Sequence, residues 1–345
     1  MQKDKLFIQA LNGQSTPSVP FWFMRQAGRY LPEYRALRAT TKGFLDLCFT
    51  PEKAAEVTIQ PLRRFNMSAA ILFSDILVIP YALGVDVRFA EGEGPIVETT
   101  TTAERISKFD QAQVTTKLAP VAETVRLVKK ELNNETALIG FAGAPWTVAC
   151  YMLQGKSGKE FAAARRFTYA EPKLMQQLID QLTQATIAYL QMQIDAGADA
   201  IQIFDSWAGL LTPDQFAKWV IEPTKKISAA LRASHPNTPI IGFAKGAGLQ
   251  LPAYAKATGV QGIGVDQHTP MEFAIESVAA HQAVQGNLDP LLLAFDKDGA
   301  LRESEKILKS FGTRPTIFNV GHGFIPETPI EHVEAVSNLV KSWQR

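Results

Sequence analysis

The 345-residue sequence holds only two cysteines, Cys48 and Cys150. They stand far apart and outside any paired-cysteine spacing, which excludes a disulfide framework and a cysteine-built zinc site and points to a reducing compartment. Long apolar runs are missing as well; none approaches the roughly 20 residues that a membrane-spanning helix needs. A charge excess is also absent. With a formal net charge of +1, the surface as a whole is not built for nucleic acid or acidic lipid, so any polyanion must be met locally. No low-complexity tract, sharp internal repeat or linker divides the chain, and one domain over residues 1–345 is expected. Residues 1–10 carry an early aspartate and no signal-peptide apolar stretch, so cytoplasmic residence is expected.

What is present is an ordinary globular composition, 46% hydrophobic and 20% charged, long enough for a large core. Eight short runs rich in Val, Ile and Phe, at 19–24, 69–73, 137–142, 200–204, 239–244, 262–266, 283–288 and 316–320, read as buried parallel strands. Segments of helical period lie between or after them, at 51–65, 114–132, 172–196, 213–233, 249–257 and 329–343. Four helix starts carry threonine followed by proline (Thr50-Pro51, Thr212-Pro213, Thr269-Pro270, Thr328-Pro329), a cap and first-turn pattern. Eight strands each followed by helix describe an α/β (β/α)8 barrel of the TIM type; an open doubly wound sheet is the alternative if two strands are miscounted. Residues 81–105, with Glu91-Gly92-Glu93-Gly94-Pro95, read as a small hairpin excursion beside it.

Charge is concentrated at the start. Residues 1–38 contain six cations (Lys3, Lys5, Arg25, Arg29, Arg35, Arg38) against two anions (Asp4, Glu33), a local +4. The first apolar run empties directly into Arg25, and Gly28 allows a sharp turn before Arg29. Arginine brings a planar fork that meets a carboxylate through two bonds, which lysine does not. In barrels of this kind the site lies at the C-terminal strand ends. Those ends read Arg25, Ser74-Asp75, Gly143-Ala144-Pro145-Trp146 with Tyr151 soon after, Asp205-Ser206, Lys245-Gly246, Asp266, Asn287-Asp289 and Gly321-His322-Gly323. Such a mouth suits a molecule with several acidic groups and NH donors.

The stretch from Phe23 to Arg35 and the stretch from Gly140 to Tyr151 resemble the two signatures of the uroporphyrinogen decarboxylase family. Phe73-Ser-Asp-Ile-Leu, Phe204-Asp-Ser-Trp-Ala-Gly and Asn319-Val-Gly-His-Gly-Phe resemble its active-site segments, so the resemblance runs from about residue 3 to about 342. It implies a homodimeric barrel that works without cofactor or metal and removes CO2 from the four acetates of uroporphyrinogen III, giving coproporphyrinogen III. It further implies substrate contacts from Arg25, Gln26, Ala27, Gly28, Arg29, Arg38, Asp75, Tyr151, Ser206 and His322. Asp75 and Arg25 are the implied catalytic pair: Asp75 accepts pyrrole NH bonds and steadies a cationic pyrrole, and Arg25 is a candidate proton donor. An ordinary arginine is a sluggish acid, and His322 has the better intrinsic value, although its place suits a propionate contact.

Plainer readings stand beside these. An arginine cluster at a helix start is as readily solvated surface, Arg35 is expected to pair with Glu33 or another surface acid, and Asp75 alone reads as well as a helix cap. His322 between glycines could mark a turn. Lys245 at a strand end fits a Schiff-base lysine. The zinc-dependent methyltransferase branch of the same superfamily needs a His-x-Cys and a distant Cys, which Cys48 and Cys150 do not supply. A non-catalytic tetrapyrrole carrier completes the set.

Overall fold

In the computed structural model, which describes residues 5–90 and 94–345, nine strands alternate with helices. They are β1 (Ala69–Ile71), β2 (Val87–Ala90), β3 (Gly94–Val97), β4 (Ala137–Gly143), β5 (Ala200–Asp205), β6 (Ile240–Ala244), β7 (Gly262–Gly264), β8 (Ala283–Leu288) and β9 (Thr316–Val320). Seven form one parallel sheet in the order β1-β4-β5-β6-β7-β8-β9. Each strand joins beside its predecessor with no reversal of order, so the doubly wound alternative is excluded and the sheet curls toward a barrel. β2 and β3 pair antiparallel as the expected hairpin. Its tip, Glu91-Gly92-Glu93, lies outside the described residues.

The first apolar run, expected as a strand over 19–24, is not one. Only Phe21 forms a parallel bridge, to Phe318. Pro20 has no N–H to give a ladder, and three of the following donors turn to side chains: Phe21 N–H to Ser68 Oγ (3.1 Å), Phe23 N–H to Gln26 Oε1 (3.1 Å) and Met24 N–H to Asn319 Oδ1 (3.0 Å), while Trp22 N–H keeps a backbone bond to Phe318 O (3.3 Å). The segment nevertheless closes the ring. Phe318 N–H donates to Pro20 O and Ser68 N–H to Phe21 O, both at 2.9 Å, so residues 20–22 link β9 to the start of β1.

Proline explains the remaining shifts. The helix expected over 114–132 divides at Leu118, where Pro120 cannot donate back to the first turn. The one expected over 213–233 runs as Pro213–Phe216, a wide turn at Ala217–Ile221 and Glu222–Ser234, with Pro223 removing one ladder donor. Helix Pro51–Phe65 keeps its expected bounds. The Thr-Pro pairs do mark helix starts, yet none of the four threonine side chains caps one. The Thr50 hydroxyl instead donates back to Asp46 O at 2.7 Å.

Inside the ring, Trp22 Nε1 donates to Gln285 Oε1 (2.8 Å) and Gln285 Nε2 to Gln202 Oε1 (3.0 Å), a buried polar chain between strands. Nearer the mouth, Phe141, Phe204 and Phe243 meet edge to face, and Phe243 packs against His322 with ring centres 6.5 Å apart. At the opposite end Asp199 is bridged by Lys5 and Lys129 and accepts the Leu138 N–H. These three charges are thus paired with one another. No helix among the described residues is long and apolar enough to cross a membrane.

Candidate active site at the barrel mouth

The arginine loop is held by its own neighbours. Gln26, expected among the ligand contacts, is fully buried; its amide accepts from Phe23 N–H and donates to Ala69 O at 3.3 Å. Its side chain is therefore a clamp between loop and β1. Gln26→Ala would strand both backbone groups and is expected to lower unfolding stability by about 2–4 kcal/mol, measurable by urea titration; an unchanged midpoint would refute the clamp. Tyr30 hydroxyl braces Gln26 O at 2.8 Å. Arg35 donates to the carbonyls of Arg29 (2.6 Å) and Tyr30 (3.1 Å), while Glu33 pairs with Arg64. The expected Arg35–Glu33 pair thus gives way to a brace, because Arg35 lies one turn above those open carbonyls.

With the loop clamped, the N–H groups of Ala27, Gly28 and Arg29 have no protein acceptor among the described residues. Such a row of backbone donors suits a carboxylate. Arg25 has φ 62, in the left-handed region, and Gly323 lies so close that a side chain there would collide with the Arg25 stem. The Gly-His-Gly sequence is explained by approach: Gly321 abuts the Gln267 backbone in the same way.

Asp75 sits on a loop fixed by Phe73 N–H to Thr58 Oγ1 (3.0 Å) and by Ser74 Oγ against Tyr189 hydroxyl (3.2 Å). Its Oδ1 accepts Leu77 N–H at 2.8 Å, the cap-like bond of the plainer reading. Its Oδ2 has no protein partner among the described residues. Burial raises the carboxyl from 3.8 to about 6, against the Leu77 bond and the charge of Arg25. Arg25, Asp75, Tyr151 and His322 all keep exposed surface although protein surrounds them on most sides, as in an open cavity.

Burial also lowers the Arg25 guanidinium, with Tyr151 and Asp75 opposing and Arg29 assisting. His322 falls to about 3 through burial and the positive charges of Arg25 and Lys245, so it is neutral at pH 7. Burial pushes the Tyr151 phenol up. Arg38 lies on helix Pro32–Arg38 and donates to Thr41 Oγ1 at 2.6 Å. Its charge and that of Asp75 both reach the buried Cys48 thiol, so Arg38 stands at the edge of the same cavity. The structure thus gathers Arg25, Arg29, Asp75, Tyr151, Ser206 and His322 at one mouth, with Arg38 at its rim.

Two features escaped the sequence reading. Asp205 is fully buried and Thr147 Oγ1 donates to it at 2.5 Å while accepting Trp207 N–H at 3.1 Å, a network that fixes the Ser206 turn. Burial pushes that carboxyl up to about 7. The second feature is a contrast in pairing: the side chains of Arg25, Arg29, Ser206, Lys245 and His322 have no hydrogen-bond or ion-pair partner among the described residues, whereas the Tyr151 hydroxyl is tied to Trp207. Ser at a strand end was a signal for the first; nothing local signals the second. A separate depression at the far end of the barrel has its Arg232 and Gln282 side chains bound to backbone carbonyls.

The family model for uroporphyrinogen decarboxylase (URO-D) matches residues 2–343. Uroporphyrinogen decarboxylases from Granulibacter bethesdensis and Rhodospirillum rubrum are each 49% identical to the chain, covering 98% of it and 99% and 97% of their own lengths. The enzyme of that name from Chelativorans sp. is 50% identical over 98% of both. Among solved structures, a methyltransferase from Methanosarcina mazei matches with TM-score 0.78 at 19% identity, over 98% of this chain and 99% of that one. A B12-independent methionine synthase from Shewanella sp. W3-18-1 matches with TM-score 0.57 at 11% identity, over 96% and 98%. At such identities these likenesses show the fold alone.

Proposed function

The chain belongs to the uroporphyrinogen decarboxylase family, and on that footing we propose that the barrel mouth is where uroporphyrinogen binds and loses CO2, with Asp75 and Arg25 as the reacting pair. The activity is decarboxylation of uroporphyrinogen in porphyrin biosynthesis. The observation that carries the site assignment is the half-unpaired Asp75 carboxylate standing among unpaired cations in an open cavity.

The substrate explains that mixture. Uroporphyrinogen III has eight carboxylates and four inward pyrrole NH groups; Arg25, Arg29 and the N–H row at 27–29 meet the former, Arg38 contributes from the rim, and Asp75 accepts the latter. Losing CO2 from a pyrrole acetate leaves an electron pair that needs a sink. A proton added to a ring carbon turns the pyrrole into an iminium-like cation. The carbon–carboxylate bond then breaks, its electrons neutralise the ring through an exocyclic double bond, and CO2 leaves. A second proton makes the methyl group while the ring carbon gives its proton back, so each acetate consumes one proton and releases one CO2. Ionised Asp75 beside the transient cation lowers the barrier, as an oxyanion hole does with the signs reversed. Arg25, made more acidic by burial, is the donor this reading assigns; His322 is neutral and offers an N–H to a propionate.

Tyr151 and Ser206 supply hydroxyl contacts. A homodimer in the cytoplasm belongs to the same reading, and its association is testable by sedimentation. The activity is tested by anaerobic incubation with uroporphyrinogen III, followed by oxidation and separation of products by carboxylate number. Four-carboxylate product is expected. Persistence of the eight-carboxylate species alone would defeat the reading.

A further inference from the structure

One side chain at the mouth has no part in that scheme. Lys245 follows β6, and its backbone is pinned on both sides, N–H to Asp205 O at 3.0 Å and O from Gly209 N–H at 2.9 Å, beside the Ser206 turn. With residues 20–22 as a stave, the ring reads segment, β1, β4, β5, β6, β7, β8, β9. Lys245 therefore leaves the rim four staves from Arg25, the widest separation that a ring of eight allows. Its ammonium lies 5.9 Å from the centre of the Trp207 ring, and its charge reaches His322.

Several lysines elsewhere have acids: Lys5 and Lys129 hold Asp199, and Lys226 holds Asp180. Lys245 has none, and neither the Ser206 hydroxyl nor the His322 imidazole beside it has a protein partner among the described residues. A half-buried ammonium facing a cavity without a counter-ion is waiting for an anion from outside.

We propose that Lys245, with Ser206 and His322, forms a second carboxylate-binding pole that faces the arginine loop across the mouth and holds a substrate carboxylate remote from the one reacting at Asp75. The proposal rests on the functional reading above. It also accounts for the choice of residue. The arginine forks fix one acetate in one geometry, whereas a compact ammonium on a flexible stem can follow different carboxylates as the macrocycle turns to present its four acetates in succession.

The test is steady-state kinetics with uroporphyrinogen III under anaerobic conditions for wild type, Lys245→Met, Lys245→Gln and Lys245→Arg, with products resolved by carboxylate number and folding checked by thermal melts. Loss of one charge-assisted contact is expected to raise KM by about tenfold or more in the Met and Gln variants. Those variants are also expected to release partly decarboxylated species with seven, six and five carboxylates, while kcat changes less than KM. The Arg variant keeps the charge and is expected to recover most of both. Unchanged KM and product pattern in whichever neutral variant folds would overturn the proposal. An Arg variant as inactive as the Met variant would also overturn it, since amine chemistry such as a Schiff base needs lysine itself. Should wild type leave the substrate untouched, it is the functional reading that fails, and that control is read before any variant is compared.

Discussion

Replacing Asp75 with asparagine is expected to lower kcat for uroporphyrinogen by about 100- to 1,000-fold while KM changes by less than about tenfold. Asparagine keeps the size and can keep the bond from Leu77 N–H. What it loses is the negative charge beside the cationic pyrrole, a group that exists only on the way to the transition state. Binding, shared among several arginines and backbone donors, is less affected. Steady-state kinetics showing an unchanged kcat and only a raised KM would remove Asp75 from the chemistry.

The same substitution carries a stability signature of opposite sign. Burial raises the Asp75 carboxyl from 3.8 to about 6, so folding favours its protonated form. That contribution is complete below about 3.8 and is lost as pH rises through about 6. Above that pH the native protein holds a desolvated carboxylate that asparagine lacks. Asp75→Asn is therefore expected to melt higher than wild type at pH 8, with the difference shrinking toward pH 4. A variant both inactive and more stable is the mark of a site residue kept for its charge.

Replacing Arg25 with asparagine is expected to lower kcat/KM by about 10,000-fold with no loss of melting temperature. The side chain makes no hydrogen bond or ion pair among the described residues, so no polar interaction of the fold is removed. Its φ of 62 is a conformation that costs a non-glycine residue about 1–3 kcal/mol and that asparagine tolerates better. The activity loss combines a two-bond carboxylate contact with the assigned proton donor, each worth a factor of 100 or so. Arg25→Lys separates the two, since it retains a charge and a proton but not the fork. If it recovers kcat without KM, the fork positions the carboxylate and the side-chain cation delivers the proton. A marked fall in melting temperature for Arg25→Asn would show a structural role instead.

Much of the frame was legible because buried parallel strands are short apolar runs between turn residues. β8 and β9 fall on the runs at 283–288 and 316–320 for that reason. The run at 19–24 has the same composition but pairs its donors with Ser68 and Asn319, far away in sequence, and no local pattern reveals such acceptors. Arg25, Arg29 and Arg35 look alike as residue types, and only their partners separate them. Arg35 spends its donors on the carbonyls of Arg29 and Tyr30; among the described residues, Arg25 and Arg29 spend none. The Gln26 amide is spent in the converse way, on Phe23 N–H and Ala69 O. Lys245 was visible as a strand-end lysine, but its lack of an acid is a property of the folded mouth.

The most direct test is the pH dependence of kcat/KM between pH 5 and 8 for wild type and Asp75→Asn, which reports ionisations of the free enzyme. The buried Asp205 carboxyl, at about 7, is present in both proteins, so the comparison isolates Asp75. The expected result is a wild-type profile that falls as pH drops through about 6, with that limb missing from the low residual activity of Asp75→Asn. The same limb in both proteins, or a flat wild-type profile, would contradict the role given to the ionised Asp75.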